Sequence, residues 1–156
     1  MGSQVIDKIA TTSADASVVF ALLRDGATWP EWSPIDSFEL ERAAADEPEG
    51  VGAIRVFRTG RYTMREEIVE LVPGRRFSYA LLSGLPIRDY RVDVDLEPAR
   101  DGTVIKWHAS FASKLPGMGW LIRRRLAGVT ERFVKGLAAR AATLDRGPGS
   151  ASGTLE

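Results

Sequence analysis

Hydrophobic and polar residues alternate along the central part of the chain, the two-residue period of strands with one buried face. The clearest run is 90–97, in which Tyr90, Val92, Val94 and Leu96 alternate with charged residues. Similar runs predict further strands over 4–12, 37–44, 52–58, 61–72, 76–82 and 103–112. The pattern therefore predicts an antiparallel sheet of about six to seven strands.

Two helical patterns frame these strands. Ser13 can cap a first helix over 14–25. From about Pro116 onward, apolar residues step by three or four over roughly seven turns, with basic residues largely opposite. That apolar stripe consists of Ile122, Leu126, Val129, Phe133, Leu137, Ala141 and Leu144. Gly128 and Gly136 interrupt this helix, and each costs about 1 kcal/mol relative to alanine. Such glycines often mark the close approach of another element, or space left near a ligand.

The segment Trp29-Pro30-Glu31-Trp32-Ser33-Pro34 lies between the first helix and the later strands. Each proline removes a backbone donor and disfavours a helical conformation in the residue before it. Two tryptophans would expose a large apolar area if they stayed in water. The segment is therefore expected to be neither an ordinary helix nor a central strand, but a short, rigid, buried connector.

Strands in sequence with helices at the two ends indicate an α+β architecture. A curved sheet must bury its concave face, and the last helix is the element long enough to cover it. Because a helix is only about 10 Å wide, part of that face is predicted to remain as a hydrophobic cavity. We assign 1–144 to one ligand-binding domain. Residues 145–156 have the composition of a disordered tail, and Leu155-Glu156 resembles a vector-derived remnant.

Charge and composition exclude several classes of function. Lysine plus arginine and aspartate plus glutamate both number 21, so the formal charge is zero and nucleic acid is not an expected partner. The chain has no cysteine and a single histidine, so we expect no metal site. No phosphate-binding loop, dinucleotide fingerprint or nucleophile elbow is present, and no cofactor is expected. Without a signal peptide or a membrane span, a cytoplasmic location is expected.

The chain resembles the START-like helix-grip superfamily, in particular its bacterial polyketide cyclase/dehydrase-like branch. The residues that carry the resemblance cover about 4–144: Ser13–Phe20, Trp29–Pro34, Gly52–Arg55, Arg65–Leu71 with Pro73, Arg76–Tyr79 and Lys106-Trp107. The resemblance implies a curved antiparallel sheet wrapped around a long C-terminal helix, with two short helices after the first strand. It also implies a hydrophobic pocket that carries lipids, polyketides or aromatic molecules, or in a minority of relatives cyclises polyketide chains.

Arg55 and Glu66 are the charged residues predicted on the inner face of the sheet. With Thr59-Gly60 as a hairpin turn, Phe57 would face Tyr62 and Arg55 would face Met64, leaving Glu66 as a diagonal neighbour. A charge in an apolar pocket needs a partner or a ligand. The two residues are therefore candidates for a ligand anchor or for proton transfer, and the alternative is a structural ion pair.

The other ligand-binding candidates are apolar or aromatic residues that the strand and helix patterns place on the inner side of the sheet or of the last helix. They are Phe57, Tyr62, Met64, Tyr79, Tyr90, Val92, Trp107, Phe111, Val129 and Phe133. Tyrosine suits a pocket because it combines apolar area with a polar tip, although core packing is the alternative for all of these. Trp32 is expected to be a structural plug.

Two basic features are interpreted as lying outside the pocket. His108 has the opposite parity to Trp107, so it should point away from the cavity. The run Arg123-Arg124-Arg125 could meet a phosphate or an anionic membrane, or could be a solvated helix face.

Three functions remain open from the sequence. The first is a carrier or sensor that binds a hydrophobic small molecule. The second is an aromatase/cyclase-type dehydratase that acts on polyketide-derived chains. The third is a helper that binds another protein, and such a partner is not identified by the sequence.

Overall fold

A computed structural model describes residues 3–145, so the predicted tail lies outside the described residues apart from its first residue. Within this range, seven strands and three α-helices follow one another in the order that the sequence predicts. They are β1 Gln4–Thr12, α1 Ala16–Arg24, α2 Trp29–Trp32, β2 Ser37–Arg42, β3 Ile54–Thr59, β4 Tyr62–Val72, β5 Arg76–Ser83, β6 Ile87–Ala99, β7 Gly102–Ser113 and α3 Gly119–Asp145. A short 3-10 turn, Gly26–Thr28, joins α1 to α2.

The strands form one antiparallel sheet in the order β1-β7-β6-β5-β4-β3-β2. Register shifts within the β2–β3, β4–β5 and β6–β7 pairs mark irregularities that bend the strands. One of them contains Asp89, whose φ of 55° allows both Ile87 and Tyr90 to be buried. The predicted α+β helix-grip fold, with a curved sheet, two short helices after β1 and a long final helix, is confirmed.

The β3–β4 hairpin differs from the predicted register. Its turn is Gly60-Arg61, with Gly60 at a φ of 57°, and Thr59 pairs with Tyr62. Phe57 therefore lies opposite Met64, and Arg55 lies directly opposite Glu66. The shift arises because the left-handed conformation at Gly60 suits the first position of a tight two-residue hairpin turn. The inner face keeps the predicted members except at the tip.

Two local predictions, one for the N-terminal helix and one for the tryptophan connector, also differ from the structure. Asp15, rather than Ser13, caps α1, because its carboxylate accepts a hydrogen bond from the Ser17 backbone N–H. Both tryptophans of the connector are buried as predicted, but Glu31 between them is exposed and the segment contains the one-turn helix α2. Pro30 lies in the first turn of α2, where its missing N–H removes no helical hydrogen bond.

Helix α3 runs alongside β1 in the same direction. Near its start, Gly119 contacts the Gln4 side chain, and further along, the Thr12 hydroxyl donates to the Ala138 carbonyl at 2.8 Å. The rise over 119–138 is about 28 Å in a helix, close to the length of β1. The most buried residues of α3 are Thr130, Val134, Leu137, Ala138 and Ala141. Of the predicted stripe, Leu137 and Ala141 are buried, and Ile122, Leu126 and Phe133 are half-buried and pack against the core. Its last member is wrong, since Leu144 is exposed.

The two ends of the sheet are filled differently. At the end where β1 finishes, α1, α2 and the second half of α3 close the concave face around Trp29, which is fully buried. Trp29 packs against Trp32, Phe57, Tyr79, Trp107 and Phe133, with ring centroids 4.7–6.1 Å apart. At the other end, where β1 begins, only the first half of α3 lies over the sheet. The core therefore has one aromatic, closely packed end.

Candidate ligand-binding site

Arg55 on β3 is fully buried and is held by backbone oxygens. Its Nη1 donates to the carbonyls of Leu23 and Arg24, at 3.0 and 3.3 Å, and to Glu49 Oε1 at 3.0 Å. The two carbonyls belong to the last turn of α1, where a cation is favoured by the helix dipole. Burial lowers the pKa of Arg55, and the nearby carboxyl groups of Glu66 and Glu49 oppose that effect. This arginine thus joins α1, β3 and the loop that carries Glu49.

Three aromatic rings surround the same guanidinium. The Cζ atom of Arg55 lies 5.1 Å from the ring centroid of Trp29 and 5.0 Å from those of Phe57 and Phe77. Cation–π attraction at such distances strengthens when water is excluded. Nε and Nη2 of Arg55 are nevertheless buried without a hydrogen-bond partner among residues 3–145. The arginine is therefore well held through Nη1 but retains unused donors.

Glu66 lies opposite Arg55 on β4 but does not form an ion pair with it within the described part of the chain. Its side chain is buried, and Oε1 has no hydrogen-bond partner among residues 3–145. Burial raises the pKa of Glu66 to about 8, against the opposing effect of the Arg55 charge. The carboxyl group is therefore largely protonated at neutral pH, and a protonated carboxyl can donate a hydrogen bond as well as accept one.

Tyr79 and Tyr90 share this part of the interior. Burial raises the pKa of both tyrosines, and in both cases the nearby charge of Glu66 raises it further. The two phenols have no side-chain hydrogen bond within residues 3–145, whereas Tyr90 packs its ring edge-on against Phe111 at 6.0 Å. Glu66, Tyr79 and Tyr90 therefore form a group of three neutral polar side chains inside an apolar core, beside the unused donors of Arg55.

Half-buried apolar residues lie between this polar group and the end of the sheet where β1 begins. The strand registers place Met64, Leu81 and Tyr90 at that same end, on neighbouring strands. Leu85 in the β5–β6 connection and Ile122 and Leu126 on α3 also pack against the core while keeping part of their surface accessible. This end of the interior is therefore apolar and incompletely closed, in contrast to the end filled by Trp29.

The structure brings most of the predicted site residues into one interior. Buried members are Arg55, Phe57, Glu66, Tyr79, Tyr90, Val92, Trp107 and Phe111, and Phe133 is half-buried and packs against the core. Within residues 3–145, Met64 and Val129 are half-buried but are not part of the packed core. Phe133 contacts the Trp29 and Trp107 rings at 6.0 and 5.6 Å. Tyr62 is a correction: it lies at the hairpin tip with 50% of its surface exposed, because the strand has left the covered area there. His108 lies on the outer face and pairs with Asp7 at 2.6 Å.

Three important residues were absent from the sequence prediction. Glu49 lies outside every predicted strand and helix, yet it pairs with Arg55 and also accepts a hydrogen bond from the Gly26 N–H at 2.9 Å. Trp29 was assigned to the connector without a role in the interior, and Phe77 was treated only as a strand residue. The alternating pattern could have identified Phe77, because it lies two residues from Tyr79 and therefore on the same face of β5. No local pattern links Glu49 to β3.

Two grooves on the surface do not coincide with these residues. One of about 980 Å³ lies between α2 and the outer side of α3, where Trp32, Gly136 and Arg140 line it. The other, of about 730 Å³, lies beside α1 and the turns at Pro48 and Pro73. Within residues 3–145, no group of three or more histidine, aspartate or glutamate side chains is arranged to hold a metal ion. No helix in that range is long and apolar enough to span a membrane.

The curved sheet, the long covering helix and the polar group inside an apolar interior define the class as a helix-grip protein. The family model described as polyketide cyclase / dehydrase and lipid transport matches residues 5–142. The chain therefore belongs to this family, as the sequence resemblance indicated. A comparison with curated proteins finds no match.

Solved structures show the same fold at low sequence identity. A START superfamily protein from Mycobacterium smegmatis has a TM-score of 0.78 and 17% identity, with 92% of this chain and 99% of that one covered. Ara h 8.0201 has a TM-score of 0.72 and 17% identity, with 90% and 98% covered. The di-domain ARO/CYC protein StfQ from the steffimycin biosynthetic pathway has a TM-score of 0.74 and 15% identity. In that case 97% of this chain matches 52% of the neighbour.

Proposed function

We propose that this protein binds a hydrophobic small molecule that carries a carbonyl or hydroxyl oxygen. The ligand enters between α3 and the strand ends at Met64, Leu81 and Tyr90, and its oxygen meets Glu66. The family's description, which includes lipid transport, is consistent with a carrier of this kind. A ligand that is apolar except for one oxygen fits an interior with few polar groups placed among apolar side chains.

The observation that carries the proposal is the set of buried polar atoms without partners. Glu66 Oε1, Arg55 Nε and Nη2, and Trp107 Nε1 all have this property within residues 3–145. Each such atom costs about 1–3 kcal/mol when it is left unpaired. Two of the side chains face each other across β3 and β4, so one ligand oxygen could satisfy more than one of these atoms. A purely structural core gives no reason for a buried carboxyl group without a partner at Glu66, where an apolar residue would avoid this cost.

The experiment compares two flat probes of nearly equal size, 2-naphthol and naphthalene, by fluorescence titration or calorimetry. 2-Naphthol should bind more tightly, because its hydroxyl can pair with Glu66. One net hydrogen bond inside a protein contributes about 0.5–1.5 kcal/mol, so the preference should be about two- to tenfold. Glu66→Leu should remove this preference and leave naphthalene binding intact.

The adjacent residue provides a matched control. Glu67 has the same side chain but lies on the opposite face of β4, half-buried, so Glu67→Leu should keep the preference for 2-naphthol. If neither probe binds, or if both variants lose the preference equally, the proposed site is wrong.

A second candidate function is supported by the protonation of Glu66. A carboxyl group with a pKa of about 8 holds a proton at neutral pH and can give it to a ligand carbonyl oxygen as an enol carbon of the same ligand attacks the carbonyl carbon. The proton of the enol hydroxyl then returns to the Glu66 carboxylate. Dehydration removes the new hydroxyl and a proton from the adjacent carbon as water and leaves a carbon–carbon double bond. The di-domain ARO/CYC protein StfQ shares the fold over 97% of this chain. A synthetic linear poly-β-ketothioester should then cyclise with loss of water in the wild type, and Glu66→Gln should bind it without turnover. Equal turnover in both proteins would exclude Glu66 as the proton donor.

A further inference from the structure

The segment that leads into α3 exposes several large apolar side chains. Leu115, Met118, Trp120 and Leu121 are exposed by 45%, 37%, 60% and 36% respectively. Trp120 is the most exposed aromatic residue in the described part of the chain, and burying a tryptophan in water-free surroundings is worth several kcal/mol. A cluster of this kind on a protein surface marks an interaction site rather than a stable solvent-facing feature.

The next turn of the same helix is strongly basic. Arg123, Arg124 and Arg125 are all exposed, and none has an acidic partner within 4.0 Å among residues 3–145. Lys114 adds a further positive charge, and no aspartate or glutamate occurs between it and Thr130. The chain as a whole has a formal charge of zero, so this local excess is not a consequence of composition. The Gln4 side chain, which contacts the start of α3, is uncharged.

The order of these side chains along the helix identifies the partner. At 100° per residue, three consecutive arginines spread over about 200° of the helix circumference and form a collar rather than a stripe. The collar begins about 5 Å along the axis from Trp120 and ends about 3 Å further on. A helix that lies flat on a membrane needs an apolar stripe along its length. An apolar tip followed by a basic collar instead suits a helix end that enters an interface, with arginines at the level of the phosphates.

We propose that Leu115, Met118, Trp120 and Leu121 insert into an anionic phospholipid surface, and that Arg123, Arg124 and Arg125 bind its phosphates. This docking surface lies at the end of the sheet where the interior is incompletely closed, so a hydrophobic ligand could pass directly to or from the bilayer. The docking itself does not depend on the proposed ligand, because it uses none of the interior residues. The attachment is peripheral, since α3 is not apolar enough to span a membrane.

The test is co-sedimentation with vesicles of phosphatidylcholine alone and of phosphatidylcholine with phosphatidylglycerol. The wild type should bind the anionic vesicles. Each arginine near such a surface contributes about 1 kcal/mol, so replacing all three of Arg123, Arg124 and Arg125 by glutamine should weaken binding on the order of a hundredfold. The charge-matched control replaces Arg42, Arg75 and Arg100, which are exposed at the opposite end of the sheet, and should bind as the wild type does.

Trp120→Ser should also weaken binding strongly, while Val51→Ser, at a position 56% exposed in a distant loop, should not. The three other tryptophans are buried, so brominated lipids should quench the emission of Trp120 selectively. Circular dichroism and the Tm confirm that each variant is folded.

Three results would overturn the proposal: no binding of the wild type to anionic vesicles, equal binding to phosphatidylcholine alone, or equal loss in the control variants. Concentration-dependent dimerisation that Trp120→Ser abolishes would also overturn it, since the patch would then belong to a second copy. The triple glutamine variant should bind 2-naphthol as tightly as the wild type does. The vesicle experiment therefore tests the docking surface, and the 2-naphthol titration tests the ligand site, independently of each other.

Discussion

Two glycines in α3 provide a pair of substitutions for which the structure predicts opposite results. Gly128 and Gly136 both lie inside the helix, two turns apart, and neither has a positive φ. Alanine is favoured over glycine in a helix by about 1 kcal/mol, so propensity alone predicts that both substitutions stabilise the protein. The surroundings of the two positions are different, and they decide whether each substitution raises or lowers the free energy of unfolding.

A β-carbon at Gly128 would meet no atom within 4 Å. Gly128→Ala should therefore raise the free energy of unfolding by nearly the full 1 kcal/mol or so. A β-carbon at Gly136 would overlap the backbone carbonyl oxygen of Trp32, and a backbone atom cannot move aside as a flexible side chain can. Overpacking typically costs about 1–3 kcal/mol, so Gly136→Ala should be neutral or destabilising by up to about 2 kcal/mol.

The assay is urea unfolding of both variants and the wild type, followed by tryptophan fluorescence. The two variants should differ by about 1–3 kcal/mol, with Gly128→Ala the more stable. Gly136→Ala should in addition alter the emission of the native state, because displacing α2 moves Trp29 and Trp32. Equal stabilisation by both substitutions would show that α2 does not pack on α3 as described.

Further predictions concern the charged and aromatic interior. Arg55→Met should lower the free energy of unfolding by about 3–5 kcal/mol, because it leaves carbonyls and a carboxylate without their partner. Arg58→Met in the same strand removes only the exposed ion pair with Glu39 and should lower it by less than about 1 kcal/mol. Similar urea midpoints for these two variants would refute the structural role of Arg55. The pKa of Glu66 is higher in the folded state, at about 8, than its ordinary value of 4.5, so its contribution to stability is fully present below pH 4.5 and is lost as the pH rises towards 8. Glu66→Gln should therefore gain stability relative to wild type between pH 5 and pH 8, and parallel pH profiles of the Tm would contradict this. Phe133→Asp should lower the Tm markedly, since the ring packs on Trp29 and Trp107, and an unchanged Tm would mean that this contact is incorrect.

The strands were predictable because their physical signal is local. Alternation along 90–97 identified the buried positions Tyr90, Val92, Val94 and Leu96, and all four are buried. The inner-face position of Arg55 and Glu66 followed from the same parity even though the hairpin register was wrong. Moving the turn by one residue along the chain changed the cross-strand partners but kept the two residues on one face.

The partners of the buried charges were not predictable, because they come from segments that are not linked to β3 by any local pattern. Arg55 pairs with Glu49, which lies in an irregular loop, and with the carbonyls of Leu23 and Arg24 at the end of α1. These contacts depend on how α1 and the loop pack onto β3, and no periodicity records that packing. The stripe on α3 was incomplete for a related reason: α3 packs chiefly along β1, so Thr130 and Val134, which lie outside the predicted stripe, are also buried.

The location of a bound ligand tests the account most directly. Methyl NMR of the protein titrated with 2-naphthol would report which side chains the probe contacts. We predict large shift changes for Leu81, Ile122 and Leu126, around the incompletely closed end of the interior, and none for Ile9, which is 62% exposed on the outer face of β1. Changes confined to the groove between α2 and the outer side of α3, or equal changes at Ile9, would contradict the proposal that the interior holds the ligand.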